Sequence, residues 1–90
     1  MISRSFTIRN KLGLHARPSA QITQTASRFQ SEVFIAKDDR RVNAKSIMGV
    51  MMLAAGAGTV VTVEATGTDE EQAMQALGQL IDSGFGEQSG

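Results

Sequence analysis

The chain carries a single histidine, His15, set between Gly13-Leu14 and Ala16-Arg17-Pro18. Proline suits the first turn of a helix, where its fixed φ is already correct and its missing N–H has no carbonyl to lose. The order of residues therefore predicts His15 at a helix N-terminus. Unpaired backbone N–H groups and the helix dipole there hold phosphate or another anion. Arg17 adds a charge-assisted donor for phosphate oxygens. A neutral imidazole is a nucleophile near pH 7, so the cluster suits a histidine that accepts a phosphoryl group and gives it away. Gly13 permits a close approach or an unusual backbone angle at the entrance. A second reading fits the same spacing: a lone histidine next to a proline is often a plain surface residue of a loop.

Ser46 is the second candidate. It precedes Ile47-Met48-Gly49-Val50-Met51-Met52-Leu53 and so reads as a helix N-cap, a role worth ~1 kcal/mol. A phosphate on it would also be favoured by the helix start, with Lys45 adjacent. It would place about two negative charges beside any partner docked on that helix. Cap and switch are compatible roles. The helix is too short to bury all its sides. Val50 and Leu53 are assigned to the core, Ile47 and Met48 to an exposed docking patch, and Met51 fits either.

Other chemistries find little support. There is no cysteine, hence no disulfide, thiolate nucleophile or cysteine-bound metal, and one histidine with Asp38-Asp39 makes no ligand set. The serines Ser3, Ser5, Ser19 and Ser46 lie in no nucleophile-elbow pattern. Nine basic and nine acidic residues leave zero net charge, and there is no Tyr or Trp. A nucleic-acid binder would want a basic field and stacking aromatics.

The elements that must position these residues are legible as periodicities. Ile2, Phe6 and Ile8 alternate with Ser3, Ser5 and Thr7 as a half-buried strand, interrupted by Arg4. Ile22, Ala26 and Phe29 lie on one stripe of a helix from Ala16 to Arg28. Glu32 to Lys37 and Arg40 to Ala44 form a hairpin around Asp38-Asp39. After the Ser46 helix, closed by the Gly56 and Gly58 loop, Val61, Val63 and Ala65 alternate in a strand from Thr59 to Thr66. Thr68 and Glu71 then fit a capping box opening a last helix, with Ala73, Leu77, Leu80 and Ile81 on its core stripe and Gly84 at its end. The order is β-α-β-β-α-β-α. The middle strands are too closely linked for a parallel crossover, so a mostly antiparallel sheet with helices layered on one face follows, an α+β fold. At 90 residues with 41% hydrophobic content the chain makes one domain. Residues 1–84 are assigned to it and residues 85–90 to a mobile tail. No run approaches the ~20 apolar residues of a membrane span and the start lacks a signal-peptide pattern, so cytoplasmic residence is expected.

Gly13-Leu14-His15-Ala16-Arg17-Pro18-Ser19-Ala20 closely resembles the active-site signature of the histidine-containing phosphocarrier (HPr) family of the bacterial phosphotransferase system. Asn43 to Leu53 independently resembles that family's regulatory-serine segment, and the likeness runs over roughly residues 1–84. It implies an open-faced β-sandwich, a four-stranded antiparallel sheet covered on one face by three helices. It also implies a carrier rather than an enzyme, without cofactor or metal. Phospho-enzyme I, charged by phosphoenolpyruvate, would phosphorylate His15 at Nδ1, and the group would pass to an enzyme II A-type domain for sugar transport or regulation. Arg17 and the backbone N–H groups of Ala16 and Arg17 would hold the phosphate. Ile47, Met48 and Met51 would dock partners, and Ser46 would be the target of an HPr kinase/phosphorylase. A monomer that neither binds nucleic acid nor inserts in membranes is implied. Gln21, Gln24, Ser27 and Ala57 stand where many sugar-system members carry lysine. The ending Ile81 to Gly86 looks more like NPr, the nitrogen-related branch, which is the alternative reading.

Overall fold

The computed structural model describes residues 1–87. The elements are β1 (Ile2–Thr7), α1 (Ala16–Ser27), β2 (Glu32–Lys37), β3 (Arg40–Asn43), α2 (Ile47–Met52), β4 (Val60–Thr66) and α3 (Glu70–Asp82). A tight turn at Gly84–Gly86 follows. The four strands form one sheet in the order β1-β4-β2-β3, with every neighbouring pair antiparallel. β1 and β2 run parallel to each other, and β4 lies between them.

Register explains why one face is dry. Phe6 stands opposite Val61 and Ile2 opposite Ala65, while Val33 and Ile35 face Ala65 and Val63 from the other side. These alternating residues meet Ile22 and Ala26 of α1 and Ala73, Met74, Leu77 and Ile81 of α3 in a single core. The other face carries Ser5 against Thr62, and Arg41 paired with Glu64 at 2.8 Å while lying 3.7 Å over the Phe34 ring. The α+β open-faced sandwich is thus the observed fold.

Four details differ from the sequence reading. First, α2 stops at Met52, and the left-handed residue after it is Ala54 (φ 52), ahead of Gly56 and Gly58. The Lys37 ammonium donates to the carbonyls of Leu53 and Ala54, at 3.4 and 3.3 Å, and Arg40 donates to Met52 O at 2.8 Å. Basic side chains thereby satisfy the end of a helix that lacks a glycine stop.

Second, the cap of α3 is Asp69, one residue beyond Thr68. Glu70, not Glu71, reaches back to accept from the Gly67 N–H at 3.1 Å. Asp69 is diverted across the molecule, accepting from the N–H groups of Gln30 and Ser31, each at 2.9 Å, and from the Ser31 hydroxyl. Third, Leu80 is only partly buried at the core's edge, and Met74 takes the inner place.

The fourth concerns the chain end. Phe85, assigned to the mobile tail, is 1% exposed and belongs to the core. Gly84, Phe85 and Gly86 have φ of 68, 60 and 72, which folds the chain back on itself. The domain therefore extends at least to Glu87, and the rest of the assigned tail, residues 88–90, lies outside the described residues.

Candidate functional site

His15 is the N-cap of α1, with extended backbone (φ −78, ψ −170). The first helical N–H to find a carbonyl is that of Ser19, bonded to His15 O at 3.0 Å. Pro18 has no N–H to offer, which leaves the N–H groups of Ala16 and Arg17 without a partner among the described residues, in the first turn as the sequence predicts. The imidazole is 37% exposed, so the nucleophile is reachable while its backbone is pinned.

The loop before His15 is rigid for reasons the sequence only hinted at. Gly13 has φ 69, and a Cβ on it would run into the Ala55 carbonyl oxygen and the Gly56 backbone. That carbonyl accepts from the Leu14 N–H at 2.9 Å, so the Gly13-Leu14 segment lies flat against the chain leaving α2. The side chain of Asn10, 3% exposed, donates to Gly13 O at 2.7 Å, and the Ser19 hydroxyl donates to Leu14 O at 3.1 Å.

Arg17 is exposed and, among the described residues, forms no ion pair. Its guanidinium is free to meet an anion arriving at the helix start. The sequence missed Glu87: its Oε2 lies 2.9 Å from His15 Nε2, and its Oε1 accepts from Asn10 Nδ2 at 3.2 Å. No local motif in the sequence announces a contact across 72 positions.

Ser46 caps α2 as expected, its hydroxyl accepting from the Gly49 N–H at 3.1 Å. Lys45, though adjacent, turns away and donates to Phe29 O at 2.9 Å. Val50 and Leu53 are buried. Ile47, Met48 and Met51 are exposed, as is Met52 at 62%, and Leu12 adds to the apolar surface. Met51, left open between core and surface, is thus on the surface. Among the described residues no three His, Cys, Asp or Glu side chains gather in a metal-binding group, and no helix is long and apolar enough to cross a membrane.

A histidine heading an open helix N-terminus, with an exposed arginine two residues on, sets a nucleophilic nitrogen beside groups able to hold an anion. A family model described as the PTS HPr component phosphorylation site matches residues 2–83. The chain belongs to the HPr family of phosphocarrier proteins. It is 60% identical over 87 residues to the phosphocarrier protein HPr of Neisseria meningitidis serogroup A, covering 97% of this chain and 98% of that one. Its fold superposes on the crystal structure of an HPr from Thermoanaerobacter tengcongensis with a TM-score of 0.94 at 52% identity, over 98% of this chain and 99% of that one. A structure described as an HPr dimer from the same organism gives 0.78 at 53% identity, over 97% and 100%. The relatives carry the HPr name, which does not favour the nitrogen-branch alternative.

Proposed function

We propose that His15 is the phosphoryl acceptor, charged at Nδ1 by phospho-enzyme I and discharged to an enzyme II A-type domain, in the cytoplasm and as a monomer. The observation that carries this reading is the imidazole at the head of α1, beside two N–H groups and a guanidinium that have no partner among the described residues. In the transfer, the Nδ1 lone pair bonds to phosphorus, and the bond from phosphorus to the donor nitrogen breaks with its electron pair returning to the donor. The N–H groups of Ala16 and Arg17 and the Arg17 side chain meet the phosphoryl oxygens. Ile47, Met48 and Met51 supply apolar docking area for both partners.

Ser46 is the proposed regulatory site, phosphorylated from ATP by an HPr kinase/phosphorylase. Its hydroxyl lies at the head of the exposed α2 patch, so a phosphate there puts charge where a partner docks. The cap hydrogen bond uses the Ser46 oxygen only as acceptor from the Gly49 N–H, so the modified residue retains acceptors for the helix start.

Intact mass after incubation with enzyme I, phosphoenolpyruvate and Mg²⁺ tests the carrier role. The wild type should gain one acid-labile phosphate and His15→Ala none. No phosphate on the wild type with enzyme I from several sources would overturn it. Arg17→Ala should slow acceptance about tenfold, the worth of one charge-assisted hydrogen bond. Sedimentation of the free protein tests the monomer.

A further inference from the structure

The two ring nitrogens of His15 are treated differently. Nε2 is bonded to Glu87 Oε2 at 2.9 Å, while Nδ1 makes no hydrogen bond to the first turn of α1 or to any other described residue. Glu87 is delivered by a built strap. Three successive positive φ angles at Gly84, Phe85 and Gly86 reverse the chain, the Glu87 N–H closes the turn on Gly84 O at 3.0 Å, and Phe85 is sunk in the core. A non-glycine residue pays for a left-handed angle, and burial of the Phe85 ring offsets that cost.

The carboxylate is held at both oxygens. Oε1 accepts from Asn10 Nδ2, which also donates to Gly13 O. Both neighbours of that amide nitrogen are acceptors, which fixes the amide with Nδ2 toward them, while Oδ1 is buried without a partner among the described residues. Asn10 thus ties the strap to the loop that presents His15. Glu87 is 19% exposed at its side chain, more sheltered than the imidazole it meets.

Resting on the carrier reading, we propose that Glu87 is a positioning residue for His15. It holds the imidazole as the Nε2–H tautomer, leaves the Nδ1 lone pair free to attack, and balances the charge that the ring takes on. A carboxylate only accepts, so the hydrogen of this contact sits on Nε2, and a protonated ring nitrogen has no in-plane lone pair with which to attack. When Nδ1 bonds to phosphorus, Nε2 keeps its proton and the ring becomes cationic. The carboxylate beside it then faces a full positive charge, as in other carboxylate–histidine pairs where the acid orients the ring and stabilises the imidazolium.

The test uses the full chain and two phosphoryl donors. Phosphoramidate, a small donor that releases ammonia, has access to either nitrogen, and phosphorus NMR distinguishes the two phosphohistidine isomers. The wild type should react at Nδ1. Glu87→Ala, which leaves the Phe85 anchor in place, should raise the share of the Nε2 isomer several-fold and lose the slowly exchanging Nε2–H proton signal. Glu87→Gln, which keeps an acceptor oxygen but no charge, should retain the Nδ1 preference and react more slowly. With phospho-enzyme I as donor, Glu87→Ala should lower kcat about tenfold with KM unchanged, the size of one lost charged contact. An unchanged isomer ratio in Glu87→Ala, or imidazole nitrogen shifts identical to the wild type, would overturn the proposal. The phosphoramidate and spectral measurements need no enzyme I. If phospho-enzyme I fails to charge the wild type, the carrier reading falls while the isomer ratio still decides the role of Glu87.

Discussion

Gly13 holds φ 69 with the Ala55 carbonyl directly where a Cβ would stand. Gly13→Ala combines a left-handed angle for an L residue with a backbone clash, and should cost about 3 kcal/mol in urea denaturation. Because Leu14 N–H is bonded to that same carbonyl, the shift that relieves the clash also moves His15, so phosphoryl acceptance should fall with stability. His15, Arg17 and Pro18 were legible in the sequence because their relation is local: a cap, a charge and a missing N–H within one helical turn. Glu87 was not. Its approach depends on a turn at Gly84–Gly86 whose backbone angles no periodicity encodes, and on a tether to Asn10 that exists only once the ends of the domain have met.

The short helix α2 depends on its caps more than on its length, since six residues give few internal hydrogen bonds and short helices are marginal alone. Ser46→Ala should therefore cost about 1 kcal/mol of stability before any question of regulation arises, and a Ser46→Thr control should recover most of it. At the start of α3, Asp69 ties the turn before β2 to the helix. Its carboxyl is held below the usual aspartate range first by the Ser31 hydroxyl and then by the Gln30 N–H, which together outweigh the opposing effect of burial, with the Ser31 N–H adding less. A carboxyl lowered in the folded state adds stability that is whole above the unfolded value and disappears as pH falls through the folded one. Asp69→Asn should lower the Tm at pH 7 and flatten the drop in Tm below about pH 4, where an ordinary aspartate begins to protonate. The strands and long helices were readable from alternation and stripe. The α3 cap was misplaced by one residue because Asp69 spends its side chain on another loop, a tertiary demand outweighing a local rule.

At the scale of the molecule, the core does not end with the last long helix. Phe85 is the largest of the fully buried side chains, and Phe85→Ala should cost about 4 kcal/mol. Truncation after residue 84 should do at least as much, read as a lower urea midpoint, and should release the strap from His15. The sequence reading placed the boundary at 84 because Gly84, Gly86 and the polar residues after them have the composition of a loose end. A single aromatic between two glycines gives no stripe or alternation to count.

The position of β4 between β1 and β2 also sets when this protein can fold as it is made. Among the described residues the only strand that pairs with β1 is synthesised almost sixty residues after it, which at ~5–20 residues per second is a wait of about 3–12 s. During that interval β1 has no neighbour, and the hairpin of β2 and β3 has lost one of its two sides. Ribosome-held chains that expose residues only up to 59 should remain protease-sensitive throughout, and protection should arrive in one step once the rest of the chain has cleared the exit tunnel. Emergence of β4, rather than growth from the first strand, is thus the event on which assembly of the sheet waits.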